Sequence, residues 1–326
     1  MTSLRITHGE MLPALALALL SALAVASGQD DQYCLARDHY PYLYFGTKTA
    51  YERVYDHKDS PQNVPYCRPL SLWLMARPGT RSPDSDLILK MQDLYGLRNQ
   101  IRRNHEEGRH AGRLCPEDLA ALAHWHLNVT EDRALVLTGQ GQADLSFLAK
   151  RLQRRLPELF NSTYSPGRYK FRYTKAQRTQ ESAEAFASGL FGNEVEMPAA
   201  MDKDPLLQFD ELCPAWRQDQ PRALKEVELF ESGPEMAQTL ARVSRRLGFA
   251  YNLSLDNVDL MWEMCRYDKA WRYVSLSAWC AAFTEDDLKV MEYRADLQYY
   301  YSYSYGNTLN AKLGCPPVKD MMDHFA

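Results

Sequence analysis

Leu70-Ser71-Leu72-Trp73-Leu74-Met75-Ala76 runs directly into Arg77-Pro78-Gly79-Thr80-Arg81-Ser82-Pro83. The first stretch is a short apolar run consistent with a buried strand. The second carries the Pro and Gly residues that mark a loop. Asp84 or Ser85 then caps a helix predicted to continue through Leu87, Leu94 and Ile101. The same order recurs further on. Between Arg168 and Thr174, Tyr169, Phe171 and Tyr173 alternate with basic residues, which is a strand signal. A loop follows, and helical patterning returns from Ser182 to Phe191. Two strand-loop-helix units place the chain in the α/β class with at least partly parallel pairing.

Outward from these units the helical signals are plain. Pro116-Glu117-Asp118 opens a helix with Pro at a favoured first-turn position. Gly139 to Leu156 sets Leu145, Leu148, Leu152 and Leu156 on one side of another. From about 200 to 300 helical patterns dominate: Ala223 to Leu247, Asp256 to Tyr267, and the tyrosine-rich Glu285 to Tyr305. The acidic pairs Glu131-Asp132 and Glu285-Asp286-Asp287 read as helix starts rather than acid–base pairs.

The 326 residues are 45% hydrophobic and 25% charged, with a net charge of -4. That size suggests two domains, or one α/β domain with a large insertion. The slight acidity leaves no global basic field for nucleic acid, so an anion site must be a local concentration of Arg or Lys. Arg5 precedes an uncharged apolar run, Met11 to Ala26, and small residues around Ala24-Val25-Ala26 and Ala26-Ser27-Gly28 fit a cleavage site. This is the pattern of a signal peptide over 1–28, with an uncleaved anchor as the alternative. No second apolar stretch approaches spanning length, so no membrane-spanning segment is expected in the mature chain. Sequons at Asn128, Asn161 and Asn252 agree with a secretory route. The expected location is the endoplasmic reticulum lumen, the outside of the cell or its surface. Seven cysteines without a C-x-x-C pair read as structural disulfides there, and the odd count leaves at least one without a partner.

A strand, a tight loop and a helix aim backbone N–H groups and a helix N-terminus at an anion. The loop after Ala76 adds Arg77 and Arg81; the loop after Thr174 adds Lys175 and Arg178. Arg suits phosphate because its planar fork makes paired, charge-assisted hydrogen bonds. Ligands of open sheets gather at the carboxyl ends of strands, where both loops lie. Spacing alone also fits ordinary surface arginines.

Arg77-Pro78-Gly79-Thr80-Arg81-Ser82-Pro83 resembles the R-H-G-x-R-x-P signature of the histidine acid phosphatases with one change. Gln177-Arg178-Thr179-Gln180-Glu181-Ser182-Ala183-Glu184-Ala185-Phe186, followed by Gly189-Leu190-Phe191, is similar to the second arginine block of the multiple inositol polyphosphate phosphatases. So are Leu114-Cys115-Pro116-Glu117-Asp118-Leu119 and Cys265-Arg266-Tyr267-Asp268-Lys269-Ala270-Trp271. Trp279-Cys280-Ala281-Ala282-Phe283-Thr284 and Leu297-Gln298-Tyr299-Tyr300-Tyr301 fit the same group. The resemblance implies a histidine-phosphatase-type three-layer αβα core with a mostly helical cap. It divides the chain into a phosphatase-like core over 29–195, the cap over 196–305 and a return to the core over 306–326.

Members of this family remove phosphates from inositol polyphosphates, phytate among them, and some act on 2,3-bisphosphoglycerate. They use no metal and no cofactor. A histidine attacks phosphorus, arginines hold the phosphate oxygens and an acid protonates the leaving oxygen. Covalent catalysis divides the step, and fixed positive charge stabilises the transferring group. Carried over by position, Arg77, Arg81 and Arg178 match the phosphate-holding arginines. The attacking histidine is replaced by Pro78, which has no nucleophilic side-chain atom. The family's later H-A-E block, with its second histidine and proton donor, is not found before His324-Phe325-Ala326, so the carboxyl end is expected to be incomplete.

Three expectations follow: an impaired or inactive phosphatase, a pseudophosphatase that binds inositol phosphates without turnover, or a truncated product that does not fold stably, its sheet exposing an unpaired edge if the missing end supplies a strand. Two other features stay bland. The basic stretch Arg98 to Arg113 either lines a pocket or is a solvated helix end. His124 and His126, two apart on a helix, do not share a face and make a poor metal site.

Overall fold

The computed structural model describes residues 33–39, 44–55, 65–108, 112–160, 163–192 and 195–326. The signal-peptide reading over 1–28 and the Asn161 sequon lie outside them. Among the described residues the molecule is mostly helical. The helices are α1 (Tyr51–Val54), α2 (Ser85–Met91), α3 (Leu94–Glu107), α4 (Pro116–His124), α5 (Gly139–Arg155), α6 (Gln177–Phe191) and α7 (Pro214–Ala223). They continue as α8 (Lys225–Glu231), α9 (Pro234–Arg246), α10 (Leu255–Trp271), α11 (Glu285–Tyr303), α12 (Thr308–Leu313) and α13 (Cys315–Phe325).

Local chemistry sets the helix ends. The Asp84 carboxylate accepts the N–H of Leu87 at 2.9 Å and caps α2. The Thr138 hydroxyl caps α5 through the N–H of Gly141 at 3.1 Å. Thr284 and Asp287 form a capping box at the start of α11, where the acidic run Glu285-Asp286-Asp287 also suits the helix dipole. Asp118, in the first turn of α4, is buried because it accepts the N–H groups of Leu35 and Ala36, both at 2.9 Å. The Cys34–Cys115 disulfide fastens the same junction, and Cys265–Cys280 ties α10 to the 3₁₀ turn Ala278–Ala282. Cys67, Cys213 and Cys315 are free thiols.

The main core surrounds α10. This helix is buried almost all round, so its charged residues need partners. Arg266 pairs with Glu263 and lies over the Trp262 ring. Asp268 accepts the Ser277 hydroxyl at 2.9 Å. Lys269 donates to the carbonyls of Tyr273 and Ser275. Trp262, Trp279, Met261, Met291 and Phe283 fill the centre, with Trp125 edge-on to Trp279 at 5.3 Å. Burying each such side chain contributes about 1.5–3 kcal/mol before entropy is charged. A smaller cluster of Ala149, Phe160 and Leu190 lies under the packed pair α5 and α6, with Leu72, Tyr169 and Phe191 against it.

Several sequence readings need correction in detail. The stretches 70–76 and 168–174 carry no strand; among the described residues β pairing is limited to the isolated antiparallel bridge Arg81–Leu137. Leu70 is 79% exposed, with Leu74 and Met75 also exposed. A strand exists only through a hydrogen-bonded neighbour, and neither stretch meets one here. The helix expected from Asp84 through Ile101 is two, because a turn at Gln92-Asp93 separates α2 from α3. The stretch Ala223 to Leu247 is likewise broken, at Ser232-Gly233, before Pro234 opens α9. Helix α6 starts at Gln177 rather than Ser182, which puts Arg178 on its first turn.

Candidate active site

The loop 77–83 is clamped between the N-termini of α5 and α6. On the α5 side, Thr80 donates its N–H and its hydroxyl to Asp144 at 3.2 and 2.8 Å. The Thr80 carbonyl accepts both the N–H and the hydroxyl of Thr138, at 3.0 and 2.9 Å. The N–H of Ser82 donates to Val136, and the N–H of Leu135 to Pro83. On the α6 side, the N–H of Gly79 donates to the Ser182 hydroxyl at 3.1 Å, and that hydroxyl donates to the Arg178 carbonyl at 2.6 Å. Gln177 accepts the N–H of Leu137 at 3.0 Å and locks the two helix starts together. From α10, the Trp271 indole N–H donates to the Arg81 carbonyl at 3.2 Å.

This clamp brings Arg77, Arg81 and Arg178 to one place. Partial burial, then repulsion from Arg81 and Arg77, hold the Arg178 guanidinium below its usual range, with Glu211 opposing them. Arg81 is half-buried and donates to its neighbour's carbonyl, Ser82, at 2.8 Å. Among the described residues none of the three is ion-paired. Like charges held together without carboxylate partners cost energy, and a bound anion would offset that cost. Pro78 sits between Arg77 and Gly79 in the same loop and has no nucleophilic side-chain atom.

Lys175 lies in the second loop, as read from sequence, but is exposed and paired with Asp202 at 2.8 Å. In the basic stretch from Arg98, the arginines of α3 bond locally: Arg98 to the Trp125 carbonyl, Arg102 to Glu106, Arg103 to Gln100. Arg103 is exposed, while Arg98 and Arg102 are half-buried. His124 and His126 bond backbone carbonyls through Nδ1. Cys34, Cys115 and Glu117 cluster closely, but the two sulfurs are spent in a disulfide and cannot ligate a metal. Asp144 and Lys48 belong to the site or its border and were not read from sequence. Asp144 lies on an ordinary helical face, and Lys48 is remote in sequence from either arginine loop. Ser182 stands inside the quoted arginine block, yet its part in holding Gly79 shows only in three dimensions.

This chain belongs to the histidine phosphatase superfamily (branch 2), which matches residues 71–326. Within that class it is similar to multiple inositol polyphosphate phosphatase 1 of Drosophila melanogaster, 37% identical over 324 residues that span 95% of this chain and 68% of the relative. The Homo sapiens protein of the same name is 33% identical, again across 95% of this chain and 68% of the relative. Among solved structures, the phytase from D. castellii superposes with a TM-score of 0.57 at 16% identity, covering 76% of this chain and 54% of the phytase. At that identity the phytase supports the shared fold alone, and this chain spans about half its length.

Proposed function

We propose that the chain holds phosphorylated inositols through Arg77, Arg81 and Arg178 and turns them over poorly, as a pseudophosphatase of the inositol polyphosphate phosphatase type. The observation that carries this reading is the convergence of three arginines, without ion-pair partners among the described residues, on a loop and the start of the helix that clamps it. Guanidinium groups grip phosphate oxygens in pairs, and the partly buried setting strengthens each contact. Pro78 is the reason for weak turnover: it has no atom to attack phosphorus, and losing one member of a catalytic unit costs nearly as much as losing all.

A second reading, an active phosphatase, is favoured by the similarity to two multiple inositol polyphosphate phosphatases. Incubating the purified chain with phytate separates the two. Binding by calorimetry without release of inorganic phosphate, and without acid-labile phosphoenzyme, supports the binder. Robust release defeats it and relocates the nucleophile.

The apolar run from Met11 to Ala26 and the exposed sequons at Asn128 and Asn252 support entry into the secretory pathway.

A further inference from the structure

Lys48 closes the 3₁₀ turn Gly46–Lys48, far in sequence from the arginine loops. Two helices hold that turn: Glu292 of α11 accepts the N–H of Gly46 at 2.8 Å, and Arg266 of α10 donates to the Phe45 carbonyl. The ammonium group lies 3.1 Å from Glu263 and 4.9 Å from the centre of the Tyr267 ring. Glu263, Tyr267 and Trp271 are four apart on α10 and share one face. The Tyr267 and Trp271 rings are 5.6 Å apart, and the Trp271 indole holds the Arg81 carbonyl. One helix face therefore runs without interruption from Lys48 to Arg81.

A simple structural ion pair does not account for this placement. Glu263 serves both Arg266 and Lys48, the nearby Asp259 is held by Arg294, and Arg81 adds a further positive charge to the neighbourhood. Burial, then Arg266, and also Arg81 disfavour the charged ammonium, while Glu263 alone among the leading influences favours it. The Lys48 side chain keeps 26% exposure, so a ligand can reach it. A compact ammonium with three donors can supply a contact to phosphate beside an arginine-held one.

We propose that Lys48 contacts a second phosphate of the ligand, adjacent to the one held by Arg77, Arg81 and Arg178, and so makes the site selective for molecules bearing two or more phosphates. This inference rests on the phosphate-site reading above. Calorimetry with phytate and with inorganic phosphate tests it on the parent chain, Lys48→Gln, Lys48→Arg and Arg81→Ala, each checked for native circular dichroism. Lys48→Gln is expected to weaken phytate roughly tenfold or more while inorganic phosphate changes by less than about twofold. Lys48→Arg should recover most of the phytate affinity. In the unsubstituted protein, phytate should shield Lys48 from acylation, read by peptide mass spectrometry, and inorganic phosphate should not. That measurement decides the matter even if Lys48→Gln fails to fold. Unchanged phytate affinity in Lys48→Gln, an equal loss for both ligands, or acylation of Lys48 unaffected by phytate would each overturn the assignment. If Arg81→Ala leaves both ligands unaffected, the phosphate-site reading itself falls, which is a different result from failure at Lys48 alone.

Discussion

Gly79 and Gly141 meet backbone to backbone: a methyl group on Gly79 would collide with the Gly141 carbonyl, and one on Gly141 with the Thr80 carbonyl. The loop that carries Arg77 and Arg81 can lie on the first turn of α5 only because neither residue has a Cβ. Gly141→Ala is therefore expected to destabilise the chain by about 1–3 kcal/mol through overpacking. It should also loosen the Thr80–Asp144 bonds, since the methyl pushes the two backbones apart. Urea unfolding measures the first effect. A matched loss of phytate affinity, far from any charge change, measures the second. An alanine variant as stable as the parent would mean that the loop does not seat on α5.

Arg81 carries a more direct expectation. Its guanidinium is half-buried beside two other cations. Arg81→Ala should cost about 1.5–3 kcal/mol in binding of a phosphorylated inositol, the range for a charge-assisted hydrogen bond. Affinity of the parent should fall as salt rises, because the exposed Arg77 is screened. Titrations at two ionic strengths check both points. Equal affinity for parent and variant would remove Arg81 from the site.

Asp268 makes the pH dependence predictable. Burial pushes its carboxyl from the ordinary 3.8 up to about 6, with the Ser277 hydroxyl pulling the other way. The folded state thus keeps this proton to higher pH than the unfolded state does. The contribution is fully present below pH 3.8 and is lost as pH rises through 6, a change of roughly 3 kcal/mol. Asp268→Asn cannot ionise, yet it still accepts from Ser277. Unfolding curves at several pH values should show the parent losing stability relative to Asp268→Asn between about pH 4 and 6. Parallel curves would show that Asp268 ionises without penalty.

Secretory expression should remove the leader near Ser27 to Asp30 and place glycan on Asn128 or Asn252, both exposed in the fold. Intact mass before and after glycosidase treatment reports both events. A retained leader together with an unshifted mass would argue against the secretory reading.

Most of what was legible in the sequence is local. The cap at Asp84, the acidic start of α11 at Glu285-Asp286-Asp287 and the Pro-led start of α4 depend on neighbours a few residues away, and they formed where patterning placed them. The two arginine blocks were legible because they are short motifs with fixed spacing. Tertiary structure alone decided the rest. Leu70-Ser71-Leu72-Trp73-Leu74-Met75-Ala76 has the composition of a strand, but pairing needs a second segment, and its apolar residues stay largely exposed without one. Lys175 and Arg178 are three apart and equally basic; Asp202 draws one to the surface while the packing of α6 against the loop turns the other toward Arg81. Lys48 reaches the same neighbourhood only because α10 spans the distance to Trp271, and no local pattern records a meeting between residues so far apart in the chain.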